Sequence, residues 1–298
     1  MKIIITGSLG NISKPLTGTL TANGHEVTVI SSKEDKKEAI EALGAKAAIG
    51  SLEDIVFLTE TFRGADIVYC MTPPNYHYDQ TLEPVSYTKR LGECYAQAIT
   101  ASGVKRAILL SSFGAELSEG TGFILGSHEV EKVFATLPEE VLITTMRPAS
   151  FYYNLLGFAT LIKKTGIISA NYGADDLIAI VSPLDIADAI AGEIEHPSTF
   201  RNIRYVSSEE LTGNEIARIL GEAIGKRDLQ WKLISDQEML ERAKQMGLSE
   251  SNAALMVDTY ACLHSGKLAE DYNKHRPVPG KVKLTEFAKQ FAAIYNQN

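Results

Sequence analysis

The chain has 298 residues, of which 45% are hydrophobic and 22% are charged, and its formal net charge is −8. This composition is typical of a globular protein and excludes disorder and low complexity, while the acidic balance argues against general nucleic-acid binding. No apolar run approaches the roughly 20 residues that span a bilayer, and three scattered cysteines fit neither a disulfide framework nor a zinc cluster, so we expect a cytoplasmic protein without a metal site.

The first 150 residues alternate β-branched runs with helical patterns. Strands are predicted at residues 2–6, 26–31, 47–49, 66–71, 107–111 and 143–146, and helices at 14–23, 36–43, 52–62, 85–102 and 130–136. Several of these strands are apolar throughout, as strands buried on both faces are. The alternation predicts an α/β fold with a doubly wound parallel sheet.

After residue 150 helical patterns dominate. Ser182, before a proline, and the pairs Thr212/Glu215 and Ser235/Glu238 are typical helix starts. They predict helices at 184–195, 213–224 and 236–246, with further helices at 250–264 and 285–295. Short extended pieces at 166–168 and 203–206 are expected to extend the edge of the sheet. We therefore divide the chain into a sheet domain, residues 1–150, and a smaller, mostly helical lobe, residues 151–298, interleaved with the last strands.

A glycine loop follows the first strand. The pattern is Gly7-x-x-Gly10-x-x-Ser13, and a helix comes next. Gly7 permits a tight turn, Gly10 lets backbone N–H groups approach a pyrophosphate, and the helix N-terminus adds donors and a partial positive charge. Ser13 is small enough to replace a third glycine. The loop therefore predicts a dinucleotide site rather than a turn without a ligand, with contacts from Thr6, Gly7, Leu9, Gly10, Asn11 and Ile12.

The end of the second strand bears on the choice between NADP and NAD. An acid there would bind the ribose 2′-OH and favour NAD. Two hydroxyls and a cation stand there instead, from Ser31, Ser32 and Lys33. These groups suit a 2′-phosphate, so NADP is favoured. NAD stays open, because Glu34 and Asp35 follow at once and dilute the positive charge.

Several segments, taken in their order along the chain, indicate a resemblance to a known family. They are the glycine loop, the acid-free end of the second strand, Leu110-Ser111-Ser112, and residues 127–132, 146–155, 181–187 and 211–217. Together they resemble the NmrA-like branch of the atypical short-chain dehydrogenases/reductases over nearly the whole chain. The resemblance implies an NAD(P)-binding Rossmann domain and a small substrate-binding lobe. Members of this family include NADPH-dependent quinone and azo reductases, isoflavone-reductase-like enzymes and non-catalytic redox sensors.

Ligands of an open α/β sheet bind beyond the carboxyl ends of its strands. This rule places four segments around the nicotinamide: residues 71–74, residues 111–113, the stretch around His128, and residues 152–154. The predicted nicotinamide contacts are Met71, Thr72, Pro73, Ser111 and Phe113. Plain packing is the alternative for these apolar side chains, and capping of a loop is the alternative for Ser111.

The catalytic pair of ordinary short-chain reductases, Tyr-x-x-x-Lys, is missing, because Ile124 and His128 stand at the two positions. The usual carbonyl-reductase and epimerase mechanisms are therefore disfavoured. His128 is predicted to bind the ribose or to donate a proton, and the alternative is a histidine bonded to the backbone. Ser112 and Lys132 are further catalytic candidates, although an ion pair of Lys132 with Glu129 is the simpler interpretation.

Four polar residues, three of them aromatic, are predicted to contact the substrate: Tyr76, Tyr152, Tyr153 and Asn154. Tyrosine rings suit a planar aromatic or quinone-like ligand. The leading hypothesis is an NAD(P)H-dependent oxidoreductase that transfers hydride to a small electrophile such as a quinone, which needs little acid catalysis. The alternative is a non-catalytic NADP(H)-binding redox sensor that regulates a protein partner, and a lyase or isomerase is a third interpretation. We expect a monomer or a homodimer.

Overall fold

The fold, taken from a computed structural model that describes residues 1–74, 79 and 81–297, is built on a sheet of seven parallel strands. The strands are β1 (Lys2–Ile5), β2 (Glu26–Ser31), β3 (Lys46–Ile49), β4 (Ile67–Cys70), β5 (Arg106–Leu110), β6 (Leu142–Pro148) and β10 (Asn202–Val206). Their order across the sheet is β3-β2-β1-β4-β5-β6-β10. The chain changes direction between β1 and β4, the point where ligand crevices form in such sheets. The predicted doubly wound sheet is confirmed.

Helices cover both faces of this sheet. On one face α1 (Ser13–Ala22), α2 (Lys37–Glu41) and α7 (Pro183–Glu195) bury their apolar side chains, and on the other face α3 (Ile55–Phe62), α4 (Pro84–Ser102) and α5 (Leu125–Ala135) do so. Helix α5 begins five residues before the predicted start, because a 3-10 turn at Gly122–Ile124 leads directly into it.

Apart from α7, which packs on the main sheet, and β10, which is part of it, the second lobe combines short strands with six helices among the described residues. A three-stranded sheet contains β7 (Ser150–Phe151), β9 (Leu177–Val181) and β11 (Glu209–Thr212), and β8 (Ile168–Ala170) pairs with β12 (Trp231–Leu233). The helices are α6 (Ala159–Thr165), α8 (Gly213–Ala223), α9 (Asp236–Gln245), α10 (Glu250–His264), α11 (Glu270–Lys274) and α12 (Leu284–Gln297). A separate aromatic and aliphatic core joins α6, α8 and α12 to β8, β9 and β12, whereas Tyr272 of α11 packs in the core of the main sheet.

The predicted helix starts are confirmed. Ser182 caps α7 through a hydrogen bond from the Leu184 amide, and Thr212 and Ser235 each form a capping box with the acid three residues on. The extended piece at 203–206 is confirmed as the edge strand β10. The piece at 166–168 was expected at the same edge, and that expectation is wrong. Ile168 instead pairs with Trp231 in the core of the lobe.

A buried carboxylate ties the end of the chain to α7, which packs against the main sheet. Asp185, in the first turn of α7, accepts hydrogen bonds from the Lys281 and Val282 amides at 3.0 and 3.1 Å and from the Ser208 hydroxyl at 2.5 Å. The neighbouring Gly280 has no room for a side chain, because a Cβ atom would lie 2.3 Å from this carboxylate. Of the helices that the structure describes, none is both long and apolar enough to cross a bilayer.

Candidate functional site

The glycine loop makes a close turn between β1 and α1. Gly7 has a φ of 89°, a backbone conformation that residues with a side chain rarely adopt. A Cβ atom there would lie 2.7 Å from Ser13 Oγ and 2.9 Å from Met71 Cγ. Ser13 is buried and donates a hydrogen bond to the Thr6 carbonyl at 2.8 Å. The loop thus brings the start of α1 against the end of β4, and only glycine fits at position 7.

The first turn of α1 is open to a ligand. Residue Ile12 precedes the helix without a side-chain cap, and the first turn carries no acidic residue. Gly10 and Asn11 are exposed, and a Cβ on Gly10 would meet only the Gly7 carbonyl oxygen, at 3.1 Å. Uncapped amide groups and the positive end of the helix dipole favour an anion at this place. The geometry therefore fits the pyrophosphate of a dinucleotide.

The tip of β2 lies beside this loop. The Ser8 amide donates to the Ile30 carbonyl at 3.1 Å, and the Ser8 hydroxyl donates to Ser31 Oγ at 3.0 Å. Ser31 is buried, whereas Ser32 and Lys33 are exposed. No acid occupies positions 31–33 of the tip. The exposed hydroxyl and ammonium groups are therefore the groups at this tip that suit a phosphate.

The loop after β4 is anchored at Met71. Its amide donates to Thr6 Oγ1 at 2.9 Å, and its carbonyl accepts from the Tyr95 hydroxyl at 2.7 Å. Thr6 and Tyr95 are fully buried, and burial raises the pKa of Tyr95 well above its ordinary value, so that the hydroxyl stays protonated and donates. Thr72 and Pro73 follow, half-buried. Tyr76, predicted to contact the substrate, lies outside the described residues, as do residues 75, 77, 78 and 80.

The loop after β5 carries the two serines. Ser111 Oγ donates to Glu131 Oε1 at 2.5 Å, and Ser112 Oγ donates to the Phe113 carbonyl at 3.0 Å. Phe113 is buried, and its ring packs edge-on against Tyr272 from the second lobe. Ser111 and Phe113 are therefore occupied by contacts within the protein, whereas Ser112 is half-buried at the end of the strand.

His128 is the fourth residue of α5. Its Nδ1 is 2.8 Å from the Ala115 carbonyl, which accepts only if Nδ1 carries the proton. Nε2 is then the nitrogen available to a ribose hydroxyl or to a substrate. Lys132, one turn further, is exposed and pairs with Glu129 at 2.8 Å, as the simpler interpretation of the sequence had it. Glu129 also pairs with Lys89 at 3.1 Å.

The predicted substrate residues after β6 are in different surroundings. Tyr152 is fully buried, with its ring against Phe287 and its hydroxyl 2.9 Å from Glu209 Oε1. No surface of this side chain is left for a ligand, so it serves the core of the second lobe. Tyr153 is half-buried beside Phe151, and Asn154 is exposed.

A buried charge cluster at the end of β6 was not predicted. Arg147 binds both oxygens of Glu131, at 3.0 and 2.7 Å, and also Glu116 at 3.0 Å and the Tyr205 hydroxyl at 2.9 Å; Asp271 lies 3.6 Å away. Burial raises the pKa of Glu116, and its Oε1 has no hydrogen-bond partner among the described residues. The available signal was an arginine within the apolar run of β6.

In the part of the chain that the structure describes, no three His, Cys, Asp or Glu side chains are grouped as metal ligands. A groove of about 670 Å³ lies along the open edge of β10, between α7 and residues 275–281. It shares no residue with the predicted site.

Comparisons with known proteins agree with this architecture. The model of the NmrA-like family matches residues 1–264. Over 232 residues, 76% of this chain and 77% of the relative, the sequence is 26% identical to the (4-alkanoyl-5-oxo-2,5-dihydrofuran-3-yl)methyl phosphate reductase of Streptomyces griseus.

Two solved structures have a similar fold. An Escherichia coli NADPH-dependent quinone oxidoreductase complexed with NADPH is 20% identical, with a TM-score of 0.78, and the match covers 97% of this chain and 99% of that one. The Citrobacter sp. triphenylmethane reductase complexed with NADP(H) is 18% identical, with a TM-score of 0.78 and coverage of 98% and 100%. At such identities they are evidence for the fold alone.

Proposed function

Because the chain belongs to the NmrA-like family, we propose that it binds NADP(H) over its glycine loop and reduces a small electrophile such as a quinone. The observation that carries the proposal is the uncapped start of α1 beside a glycine that nothing larger can replace. The relatives support it, since one is a reductase and the structural neighbours are complexed with NADPH or NADP(H).

Different residues of the chain would then bind different parts of the cofactor. The first turn of α1 would hold the pyrophosphate, and the exposed groups of Ser32 and Lys33 would hold the 2′-phosphate. The loops at Met71–Pro73 and at Ser112 would flank the nicotinamide, which supplies hydride when the cofactor is bound. These residues contribute orientation, which makes hydride transfer to a bound acceptor effectively intramolecular.

Proton supply differs from that of a typical short-chain reductase. No Tyr/Lys pair stands on α5, and Lys132 is engaged with Glu129. His128 is the candidate group: Nδ1–H donates to the Ala115 carbonyl, so Nε2 can release a proton only when both ring nitrogens carry one. A quinone that accepts hydride becomes a phenolate, which is stabilised by delocalisation and can take its proton from His128 or from water. The site therefore favours acceptors that need little acid catalysis.

The test is a titration of the full chain with NADPH and NADH, followed by NADPH oxidation over a panel of quinones and enones. We expect tight NADPH binding and turnover of at least one acceptor. His128→Ala should lower turnover on enones by about 100-fold or more, whereas the exposed His264→Ala should not. A protein that binds neither dinucleotide contradicts the proposal.

A redox sensor is the second candidate, and one observation favours it. Ser111 and Lys132, both predicted near the chemistry, are engaged with Glu131 and Glu129. A sensor needs the dinucleotide but no proton donor. Tight NADPH binding without oxidation over the whole panel would support this candidate over the reductase.

A further inference from the structure

Ser8, next to Gly7, has a strained backbone. Its φ is 53°, in the left-handed region, although it is not a glycine; among the described residues only Ala174, at 52°, shares this property. The conformation costs about 1–2 kcal/mol and persists only where the surroundings impose it. Here two hydrogen bonds do so, to the Ile30 carbonyl at 3.1 Å and to Ser31 Oγ at 3.0 Å. Both partners belong to the end of β2.

Ser31 is fully engaged inside the protein. A hydroxyl has one donor and two acceptor sites. Ser31 Oγ accepts from the Ser8 hydroxyl and from the Lys33 amide, at 3.0 and 3.2 Å, and it donates to the Lys33 carbonyl at 3.4 Å. The residue is only 3% exposed. Ser31 was predicted to contact the cofactor, but in this arrangement it has no hydrogen bond left for a ligand.

The Ser31 hydroxyl fixes the backbone of Lys33. Both its amide and its carbonyl contact Ser31 Oγ, and its φ and ψ are −118° and 119°. The side chains of Ser32 and Lys33 remain exposed, and Lys33 has no ion-pair partner in the described ranges. A run of hydrogen bonds therefore leads from the strained Ser8 through Ser31 to the residue that carries the unpaired cation.

We infer that Ser8 is a positioning residue for selecting a dinucleotide with a 2′-phosphate. Through Ser31 it holds the Lys33 backbone, so that the Ser32 hydroxyl and the Lys33 ammonium are already placed for that phosphate. Preorganised groups lose less freedom on binding, which raises affinity for the phosphorylated dinucleotide alone. The inference rests on the proposed function, and it concerns selectivity rather than the ability to bind.

The experiment measures NADPH and NADH dissociation constants by calorimetry for the full chain and for Ser8→Ala, Ser8→Gly and Ser31→Ala. Ser8→Ala removes the hydroxyl and keeps the strain, whereas Ser8→Gly removes both. We expect each variant to bind NADPH about fivefold more weakly and NADH unchanged, so that the ratio of the two constants shifts about fivefold. Ala174→Gly relieves equal strain away from the site and should leave the ratio unchanged.

The outcomes separate the inference from the proposed function. Equal weakening of both dinucleotides in the Ser8 variants, or no weakening, overturns the positioning role and leaves the reductase proposal standing. A wild-type chain that binds NADH as tightly as NADPH also overturns the inference alone. A wild-type chain that binds neither overturns both. A shift of about fivefold in the ratio of the two dissociation constants in both Ser8 variants supports the inference.

Discussion

Replacing Gly10 by valine should weaken dinucleotide binding while leaving the stability of the fold nearly unchanged. Gly10 is exposed, its φ lies outside the left-handed region, and a Cβ would meet only the Gly7 carbonyl oxygen, at 3.1 Å. A few tenths of an ångström of movement accommodates that contact. We therefore expect the free energy of unfolding to change by less than about 1 kcal/mol.

The same side chain should strongly reduce dinucleotide binding. Valine would occupy the space above the first turn of α1, where we propose that amide groups meet the pyrophosphate. A hydrogen bond to a charged group contributes about 1.5–3 kcal/mol, and the loss of one or two of them should weaken NADPH binding by about 3 kcal/mol, or roughly 100-fold.

Calorimetric titration with NADPH, together with urea denaturation, measures both quantities. The contrasting variant is Gly7→Ala, whose Cβ would lie 2.7 Å from Ser13 Oγ in a left-handed backbone. It should lose stability as well as binding. A Gly10→Val protein that binds NADPH as tightly as the wild type would refute the placement of the pyrophosphate.

Three further predictions concern side chains. Tyr95→Phe removes the hydroxyl that donates to Met71 and should lower the unfolding free energy by about 1 kcal/mol in urea; no change would contradict its anchoring role. Arg147→Met leaves the Glu131 carboxylate without its cation and should cost about 3–5 kcal/mol in the same assay, whereas a cost below about 1 kcal/mol would show that this ion pair does little for the fold. Because burial raises the pKa of Glu116, the stability that its protonated form contributes is present below the ordinary value of 4.5 and is lost as pH rises through the folded-state pKa. Glu116→Gln should therefore be more stable than the wild type near about pH 7, with a difference that shrinks towards about pH 4; a pH-independent difference would be inconsistent with this ionisation.

Local patterns predicted the sheet well, because buried parallel strands and glycine turns leave their signal in adjacent residues. The strands at 2–6 and 26–31 correspond to β1 and β2 within one residue. The piece at 166–168 was misplaced because a short apolar run does not reveal its pairing partner. That partner, Trp231, lies more than sixty residues away in the sequence.

The glycine loop was predictable for the same reason, since Gly7, Gly10 and Ser13 are close in sequence. The cluster around Arg147 was not, because Glu116, Glu131, Tyr205 and Asp271 come from separate elements and share no spacing. Tyr152 and Tyr153 show that sequence-based prediction has the same limit within a single segment. They are neighbours with the same ring, and only the fold decides that one faces the core.

The return of the chain to the main sheet has a practical consequence for protein engineering. β10 completes the sheet beside β6, and α7 packs against α1, although both come from beyond residue 150. A fragment cut at that residue would expose the backbone edge of β6 and the apolar side of α1. Exchanging everything beyond residue 150 between relatives would therefore pair β10 and α7 of one protein with β6 and α1 of the other. Exchanging only the segments that leave the main sheet keeps each protein's own β10 and α7 in place.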